Sequence, residues 1–441
     1  MAKKIQDYNF AYDFLRYYTD IALKLSYRQI EYVGREFIPK DGAVIFAPNH
    51  TNALMDAMVI LAMDHRPKVY VARADIFRNP KIAKILSFLK IMPIMRMRDG
   101  YEELKKNNET IERAVDVLRD GVPFCIFPEG THQAKYSSLP LSKGIFRIAL
   151  SAVELMPDTP LYIVPVGIRY GSFFRFRSTV RVQIGEPINV GRFITEHSDL
   201  SQAEQIGAMR DLLTERMHRS IFHIPNDEDY DAIYEICATV VKQQVKNYKF
   251  VVDGKPLKGL DAHFEANNRT IREIAQLRET QPEVAQELLR LGQEAYDMRT
   301  AQSISLKSVS VKYPIFSRIL KVLFLIVTLP YTLPASLLTL PLNGVTAYLF
   351  TLIKDPAFRN SVRYLVNLVL WPVLMIIYSA VAYIALPWQW ALPLTLALLP
   401  APIVAQESWR LVRLLISDIK LLCNKPLRHK YREIKKIISK Q

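Results

Sequence analysis

Two side chains able to move a proton stand close together after a short apolar run. The stretch FAPNHTNALMDAM spans residues 46–58 and contains His50 and, six positions later, Asp56. A carboxylate that reaches one imidazole nitrogen fixes the tautomer and leaves the other nitrogen free to accept a proton. No serine or cysteine stands in a GxSxG elbow, so the pattern predicts His50 as a general base and a substrate hydroxyl as the nucleophile. The alternative is a structural histidine, satisfied by its Asn and Thr neighbours.

Residues suited to an anionic ligand follow other apolar runs. They are Arg96 and Arg98 in IMPIMRMRDG, Glu129, Gly130 and Thr131 in FCIFPEGTH, and Lys143 at the start of a predicted helix. Gly130 lets backbone amides approach a ligand, and Thr131 offers a hydroxyl. Glu129 would repel a phosphate, so we expect it to pair with an arginine or to accept from a substrate hydroxyl. Pro165, in IVPVGIRYG, can shape a wall but has no proton chemistry.

Short β-like runs alternate with amphipathic helices between residues 29 and 225. This alternation predicts a layered α/β domain, and strand ends that open into helices are a common place for chemistry. The runs IEYVGREFI and AVIFAPNH are predicted as two strands joined across PKDG. Residues 1–28 form a separate N-terminal amphipathic helix, rich in Tyr, which either packs on the domain or lies in a membrane interface.

The remainder of the chain changes character twice. Residues 226–310 are charged and helical, and no motif in them carries chemistry. Residues 311–409 are predicted as a membrane region. Within it, residues 364–386 and 388–406 hold no charge and are predicted as a transmembrane hairpin with both ends in the cytosol. Residues 322–353 are too long for one upright span and too short for two, so a re-entrant segment that bends at its prolines is predicted.

The charge balance favours an anionic partner. The chain has 441 residues and a formal net charge of +15, and residues 410–441 form a basic cytosolic tail expected to lie on anionic headgroups. A nucleic-acid partner is disfavoured because no recognition motif accompanies the charge. The three cysteines are far apart and predict neither a disulfide framework nor a metal site. No apolar stretch follows the first lysines, so no signal peptide is expected.

Taken together, the motif around His50, the Arg-containing run, FPEGT and the strand with Pro165 resemble the glycerolipid acyltransferases. That group comprises glycerol-3-phosphate, dihydroxyacetone-phosphate and 1-acylglycerol-3-phosphate acyltransferases. The resemblance covers roughly residues 30–220. It implies an α/β acyltransferase domain, here with a helical insert and a C-terminal helical membrane domain. It also implies acyl transfer from a fatty acyl thioester, acyl-CoA or acyl carrier protein, to a hydroxyl of a glycerol phosphate, with no metal or other cofactor.

The resemblance also implies roles for the residues. His50 would be the base and Asp56 its partner, Arg96, Glu129 and Gly130 would lie at the phosphate site, and Pro165 would lie near the acyl donor. One departure is the spacing, because five residues separate His50 from Asp56 where the family has four. One extra residue rotates a helical position by about 100°. Either the turn before the helix is one residue longer, or the aspartate has another role.

The five-residue spacing and the C-terminal membrane hairpin also resemble a branch that acylates glycerol 3-phosphate or dihydroxyacetone phosphate. First-position acylation is therefore preferred, with lysophosphatidate as the alternative acceptor. An alternative from a different functional class is a non-catalytic lipid-binding membrane protein. The expected partners are membrane lipids, the thioester donor and the glycerol-phosphate acceptor. The expected location is a membrane, the inner one in a bacterium, with the catalytic domain on its cytosolic face.

Overall fold

The computed structural model describes residues 4–94, 104–252, 254–310 and 314–440. The chain divides into two compact units. The first comprises Met1–Ile221 and Ile353–Leu365, and the second comprises Phe222–Leu352 and Val366–Gln441. The first unit is therefore built from two pieces of chain that lie far apart in the sequence.

The first unit alternates strands and helices, as the sequence predicts. Its helices are α1 Phe10–Ser26, α2 Leu54–Leu61, α3 Pro80–Phe88, α4 Leu104–Arg119, α5 Gly144–Leu155, α6 Val190–Glu196 and α7 Gln202–Ser220. Its strands are β1 Tyr27–Val33, β2 Ala43–Pro48, β3 Val69–Arg73, β4 Ile91–Ile94, β5 Phe124–Cys125, β6 Leu161–Tyr170, β7 Ser178–Ile184 and β8 Ile188–Asn189.

The first predicted strand is shorter than its sequence suggests. It ends at Val33 because Gly34 adopts a left-handed conformation with φ of 80°, and a 3-10 turn, Arg35–Phe37, follows. A Cβ on Gly34 would lie 2.2 Å from the carbonyl oxygen of Ile184. A glycine is required at this close approach, and the apolar residues beyond it do not continue the strand.

The strands form one mixed sheet with a parallel centre. Their order is β1-β7-β6-β2-β5-β3-β4, and β8 pairs with β6. Strands β2 to β6 run parallel to one another, whereas β7 is antiparallel to β6 and β1 is parallel to β7. The carboxyl ends of β2 to β6 and the amino end of β1 therefore lie at one edge of the sheet. This edge collects the side chains that follow the apolar runs.

Helices cover both faces of the sheet, which explains why β2 is buried along its whole length. Alternate residues of β2, Ala43, Ile45 and Ala47, join a core with apolar residues of α4, α5 and α7. On the opposite face, the Tyr70 hydroxyl donates to the Ala57 carbonyl of α2 at 3.0 Å. Helix α1 contacts both α2 and β1 and so lies on this second face.

The second unit is helical apart from a short hairpin, β9 Val251–Val252 and β10 Lys255–Pro256. Its helices are α8 Tyr230–Asn247, α9 Gly259–Thr280, α10 Pro282–Ala301, α11 Leu306–Val309, α12 Pro314–Leu338, α13 Leu340–Leu352, α14 Arg359–Ala385, α15 Trp388–Leu398, α16 Ala401–Cys423 and α17 Lys425–Ile438. The first residues of α14 belong to the first unit.

The C-terminal residues do not form a free tail. Helix α17 packs on α8 and α10. The buried Glu235 carboxylate accepts from Arg299 Nε at 2.8 Å and from the Tyr431 hydroxyl at 2.6 Å, which ties α8, α10 and α17 together. The buried stripe of α17 comprises Leu427, Tyr431, Ile434 and Ile438. Contact of the basic residues of 410–441 with anionic headgroups stays a prediction.

The apolar helices are long enough for membrane insertion. Helices Ile315–Leu338 and Pro356–Ala385 are each long and apolar enough to cross a bilayer. A third candidate is the pair of helices α15 and α16, which are bent by 54° at their junction. The sequence predicted one continuous span over residues 388–406 in this region. Of the three prolines in the predicted re-entrant segment, Pro330 and Pro334 lie inside α12. The helix breaks at Thr339, just before Pro341 in the first turn of α13.

Candidate active site

The site is built where β2 ends. The strand is held to β6 beyond its last residue by Asn49, whose side-chain oxygen accepts from the Ile168 amide at 2.6 Å and whose amide group donates to the Ile168 carbonyl at 3.2 Å. This clamp fixes the backbone from which His50 projects. Asn49 is therefore a positioning residue for the turn.

The His50–Asp56 pair is formed. His50 Nδ1 lies 2.8 Å from Asp56 Oδ2. The same oxygen accepts the backbone amides of Thr51 and Asn52, each at 2.7 Å, and Oδ1 accepts from the Tyr170 hydroxyl at 2.8 Å. Four donors therefore surround a carboxylate whose side chain is 0% exposed. Such an acceptor is fixed in place and holds the imidazole with its Nδ1–H toward the acid.

The turn between the two residues accommodates the five-residue spacing. Helix α2 begins at Leu54, so Asp56 occupies its third position and faces back toward the turn. Ala53, which precedes the helix, has φ of 46° and ψ of −125°, a strained conformation for a residue with a Cβ. Across the five-residue spacing, Asp56 still reaches His50 and the two backbone amides of the turn.

The imidazole of His50 is flanked by two rings. It stacks on Phe127, with the ring centroids 4.2 Å apart, and the edge of His132 meets it at 5.4 Å. Its side chain is 18% exposed. Among the described residues, none hydrogen-bonds to His50 Nε2. The ring is thus held firmly while the atom that would accept a proton stays available.

Glu129 lies beside this pair and is buried. Its relative exposure is 6%, and within the described ranges neither carboxylate oxygen has a hydrogen-bond partner. Burial raises the pKa of Glu129 to about 8, and the nearby charge of Asp56 acts in the same direction. The backbone amides of His50 and Leu139 act to lower the pKa of Glu129, although neither makes a hydrogen bond of ordinary geometry with its carboxylate. The predicted pairing with an arginine is not seen in the described part of the chain.

A second histidine–aspartate pair adjoins the first. His132 Nε2 lies 2.9 Å from Asp355 Oδ2, and the His132 ring meets Phe358 edge-on at 5.2 Å. Partial burial acts to raise the pKa of Asp355. The Ala357 amide and His132 outweigh this effect and hold the pKa below its usual value. Sequence reasoning missed this pair because Asp355 lies 223 residues from its partner.

The other predicted site residues that the structure describes lie in surroundings different from those of the His50–Asp56 pair. Gly130, with φ of 65°, and Thr131 are exposed in the loop after β5. Lys143 is exposed and caps α5. Pro165 is buried within the sheet and pairs with Ala47, one residue before the carboxyl end of β2.

Arg96 and Arg98 lie outside the described residues, beyond the end of β4. No group of three His, Cys, Asp or Glu side chains able to hold a metal ion occurs in the ranges that the structure describes.

Comparison with known proteins bears on the same region. Residues 29–169 match the sequence model of the family described as Acyltransferase. The chain is 33% identical over 140 residues to glycerol-3-phosphate O-acyltransferase 2 of Saccharomyces cerevisiae, which covers 31% of the chain and 18% of that protein. It is 28% identical over 140 residues to the 1-acyl-sn-glycerol-3-phosphate acyltransferase of Borreliella burgdorferi, covering 32% of the chain and 54% of that protein.

A solved structure is also similar, that of the 1-acyl-sn-glycerophosphate acyltransferase PlsC of Thermotoga maritima. The identity is 21%, the TM-score is 0.35, and the match covers 47% of this chain and 77% of that one. The matches span only 18% of the yeast relative's length and 54% of the Borreliella burgdorferi relative's length. The resemblance to glycerolipid acyltransferases predicted from the motifs is confirmed over the α/β unit.

Proposed function

Because residues 29–169 carry the Acyltransferase family match, we propose that this protein is a membrane-bound O-acyltransferase. It transfers a fatty acyl group from an acyl thioester to a hydroxyl of a glycerol phosphate. The observation that carries the proposal is the His50 imidazole, held by Asp56 at 2.8 Å, with no hydrogen bond to its Nε2 from any residue that the structure describes. A histidine satisfied only for structural reasons needs no such arrangement, and a pure lipid binder needs no base.

The chemistry follows from the geometry of this pair. The acceptor hydroxyl approaches Nε2, which takes its proton as the oxygen attacks the carbonyl carbon of the thioester. The C–O bond forms, the C–S bond breaks, and the thiolate leaves with the proton returned from the imidazolium. Asp56 stabilises the imidazolium between these two events. Acyl-CoA and acyl carrier protein both fit this scheme as donors.

Glu129 takes a defined part in this scheme. A carboxylate beside a phosphate would repel it, but a group whose pKa is raised to about 8 is mostly protonated at neutral pH. A neutral carboxyl next to the base adds no charge that would repel the phosphate of the acceptor. Gly130, Thr131, Lys143, Arg96 and Arg98 remain the proposed anion contacts, and Pro165 the proposed residue near the acyl donor.

Two acceptors are supported by relatives of different names, one a glycerol-3-phosphate and the other a 1-acylglycerol-3-phosphate acyltransferase. We favour glycerol 3-phosphate or dihydroxyacetone phosphate, because the five-residue spacing resembles the branch that acts on them. Lysophosphatidate is the second candidate. The candidate spans Ile315–Leu338 and Pro356–Ala385 support a location at the bilayer that receives the product.

The test is an acyl-transfer assay of the purified protein in lipid vesicles. Labelled acyl-CoA or acyl carrier protein is offered with glycerol 3-phosphate, dihydroxyacetone phosphate or lysophosphatidate in parallel. Transfer to either of the first two acceptors supports the preferred assignment, and transfer to lysophosphatidate alone replaces it by the second. Absence of transfer from both donors to all three acceptors rejects the proposal.

His50→Ala is the matched variant. An enzyme that uses His50 as its base loses on the order of 10²-fold or more of its kcat. Its thermal unfolding and its membrane incorporation are expected to match the unchanged protein. Equal turnover in the variant would contradict the assigned base and favour the non-catalytic lipid-binding alternative.

A further inference from the structure

A second histidine lies against the proposed base, and an acid of its own holds it. His132 Nε2 lies 2.9 Å from Asp355 Oδ2, and Asp355 Oδ1 accepts the Ala357 amide at 2.9 Å. Phe358 meets the His132 ring edge-on, with the ring centroids 5.2 Å apart. The short turn that contains Asp355 and Phe358 therefore holds the His132 ring through one nitrogen and through a ring contact.

The backbone also ties the two histidines together. The loop that carries His132 is bonded to the turn that carries His50, because the Gln133 amide donates to the His50 carbonyl at 3.2 Å. The ring centroids of His50 and His132 lie 5.4 Å apart, at an interplanar angle of 75°. Their side chains are 18% and 21% exposed. Both rings are thus fixed side by side, and each keeps part of its surface open to a ligand.

The acid determines which hydrogen bond His132 can make with a ligand. Partial burial acts to raise the pKa of Asp355, but the Ala357 amide and His132 hold it below its usual value. The carboxylate is therefore ionised at neutral pH and accepts the Nε2 proton, which leaves a lone pair at Nδ1 of the uncharged ring. Among the residues that the structure describes, none hydrogen-bonds to His132 Nδ1. This nitrogen can therefore accept a hydrogen bond from a ligand.

A hydroxyl suits this nitrogen better than a phosphate does. A lone pair attracts an O–H group and repels an anion, and each of the two imidazoles already has a carboxylate beside it, Asp56 at His50 and Asp355 at His132. A hydrogen bond from a hydroxyl spans about 2.8 Å, so two hydroxyls on neighbouring carbons match two rings whose centroids are 5.4 Å apart. The ligand expected at His132 is a second hydroxyl next to the one that reacts at His50.

We propose that His132, held by Asp355, binds the middle hydroxyl of glycerol 3-phosphate and so determines which acceptor is used. This inference rests on the proposed function and deepens it. The terminal hydroxyl of glycerol 3-phosphate reacts at His50, and the middle hydroxyl donates to His132 Nδ1. Dihydroxyacetone phosphate has a carbonyl in place of the middle hydroxyl, and lysophosphatidate has only the hydroxyl that reacts. Glycerol 3-phosphate is therefore the acceptor that uses both rings.

The experiment removes the same hydrogen bond from the protein and from the acceptor. The analogue 3-hydroxypropyl phosphate is glycerol 3-phosphate without its middle hydroxyl. In the vesicle assay, kcat/KM is measured for both acceptors with the unchanged protein and with His132→Phe, which keeps a ring beside His50. We expect the unchanged protein to prefer glycerol 3-phosphate by about three- to tenfold, and His132→Phe to lose this preference. The control His197→Phe replaces a histidine that stacks on Phe193 and should keep the preference.

Asp355→Asn is the second variant, and it decides the question if His132→Phe does not fold. An amide can donate to Nε2 as well as accept from it, so the tautomer of His132 is no longer fixed. The preference for glycerol 3-phosphate over the analogue should fall by about twofold or more, with the ring still in place. An unchanged preference in Asp355→Asn would show that the acid does not set this hydrogen bond and would overturn the proposal.

The other outcomes are equally decisive. The same preference in His132→Phe as in the unchanged protein would overturn the proposal, and so would transfer to lysophosphatidate alone. An equal loss of kcat/KM for both acceptors in His132→Phe would also overturn it, because the ring would then act through His50 and not through the middle hydroxyl.

Failure of the proposed function gives a different result, namely no acyl transfer to any acceptor. The dissociation constants of glycerol 3-phosphate and 3-hydroxypropyl phosphate, measured by isothermal titration calorimetry, then decide the inference on their own. Tighter binding of glycerol 3-phosphate that is lost in His132→Phe would support a hydroxyl site at His132. Equal binding of the two phosphates by the unchanged protein would reject it.

Discussion

At the scale of single residues, Asp56 is the group on which the dyad depends. It receives two backbone amides, a phenol and the imidazole, so its position is fixed by atoms of the turn, of β6 and of His50. No other carboxylate is hydrogen-bonded to His50 in the described part of the chain. Asp56 is therefore the acidic partner of His50 whose role has to be tested.

Asp56→Asn tests this dependence without changing the size of the side chain. The amide nitrogen would face donors, so either Tyr170 or the turn amides lose their acceptor and the imidazole loses its fixed tautomer. We expect kcat to fall by about 10²-fold or more, with little change in KM. Adding His50→Ala to Asp56→Asn should cost little more than His50→Ala alone. A variant with more than a third of normal turnover would remove Asp56 from the mechanism.

The raised pKa of Glu129 predicts that the stability of the protein depends on pH. Its pKa is raised from 4.5 to about 8 in the folded protein. Between these values the unfolded chain releases the proton and the folded chain keeps it, so stability falls as pH rises from about 4.5 to about 8 and then levels off. Below that window both states are protonated, and the contribution is fully present.

Glu129→Gln should remove this dependence. The variant gains stability relative to the unchanged protein at pH 8, by an amount on the order of a few kcal/mol, and gains little at pH 5. Thermal unfolding of both proteins at the two pH values measures the difference. Parallel curves with a constant offset would show that Glu129 is not protonated in the folded state near neutrality.

At the scale of elements, α1 presents two different faces. Tyr12, Arg16, Thr19, Leu23 and Ser26 are buried on the domain. The opposite face is exposed and apolar, and it comprises Phe10, Phe14, Tyr17, Ile21 and Leu25. Packing on the domain and contact with a membrane interface, which the sequence offered as alternatives, are compatible with one helix.

A lipid-depth measurement tests the exposed face. In a Cys423→Ser background, which removes the exposed cysteine, a fluorophore is attached at Phe14→Cys or at Glu154→Cys. Glu154 is exposed on α5, which covers the other face of the sheet. A nitroxide-labelled lipid should quench the probe at position 14 at least about twofold more strongly, because aromatic faces of this kind insert at the headgroup boundary. Equal quenching at both positions would leave α1 away from the bilayer.

The elements themselves were largely predictable, because hydrophobic periodicity reports them directly. The strands ending at Pro48 and Tyr170 and the helices of the charged region follow the patterns in the sequence. The exceptions have local causes. Gly34 ends β1 early through its left-handed backbone, and two of the three prolines in the predicted re-entrant segment are accommodated inside α12, so that only Pro341 lies at a helix break.

The site was predictable only where its parts are close in sequence. His50 and Asp56 share one turn, so their pairing follows from spacing and local geometry. Tyr170 reaches the same acid from a position 114 residues away, and periodicity carries no information on such a contact. Glu129 was identified by its motif, but its burial depends on the packing of the loop around it.

Helix α17 gives a prediction for the helical unit. Ile434 is 0% exposed on its apolar stripe, whereas Lys436 on the same helix has a side chain that is 63% exposed. Ile434→Ala leaves a cavity and should lower the free energy of unfolding of this unit by about 2–5 kcal/mol. Lys436→Ala should change it by less than about 0.5 kcal/mol. Differential scanning calorimetry in detergent distinguishes them, and equal transitions would place α17 away from the core.

At the scale of the whole molecule, segments of the α/β unit and of the helical unit alternate along the chain. The α/β unit is interrupted after Ile221 and completed only by Ile353–Leu365, with helices α8 to α13 between the two pieces. Within the helical unit, Lys321 of α12 pairs with Asp418 of α16, so two apolar helices share an internal ion pair. Neither unit can be read from one continuous stretch of sequence.

This interleaving has a practical consequence for anyone who truncates the gene. A soluble fragment that stops at residue 221 retains every motif by which the family is recognised, yet it lacks Asn360 and Tyr364 and so leaves the Tyr27 hydroxyl and the Thr19 carbonyl without their donors. Such a fragment would have buried polar groups without partners and would be less stable and prone to aggregate. Supplying residues 353–365 as a peptide in trans would be the natural complementation.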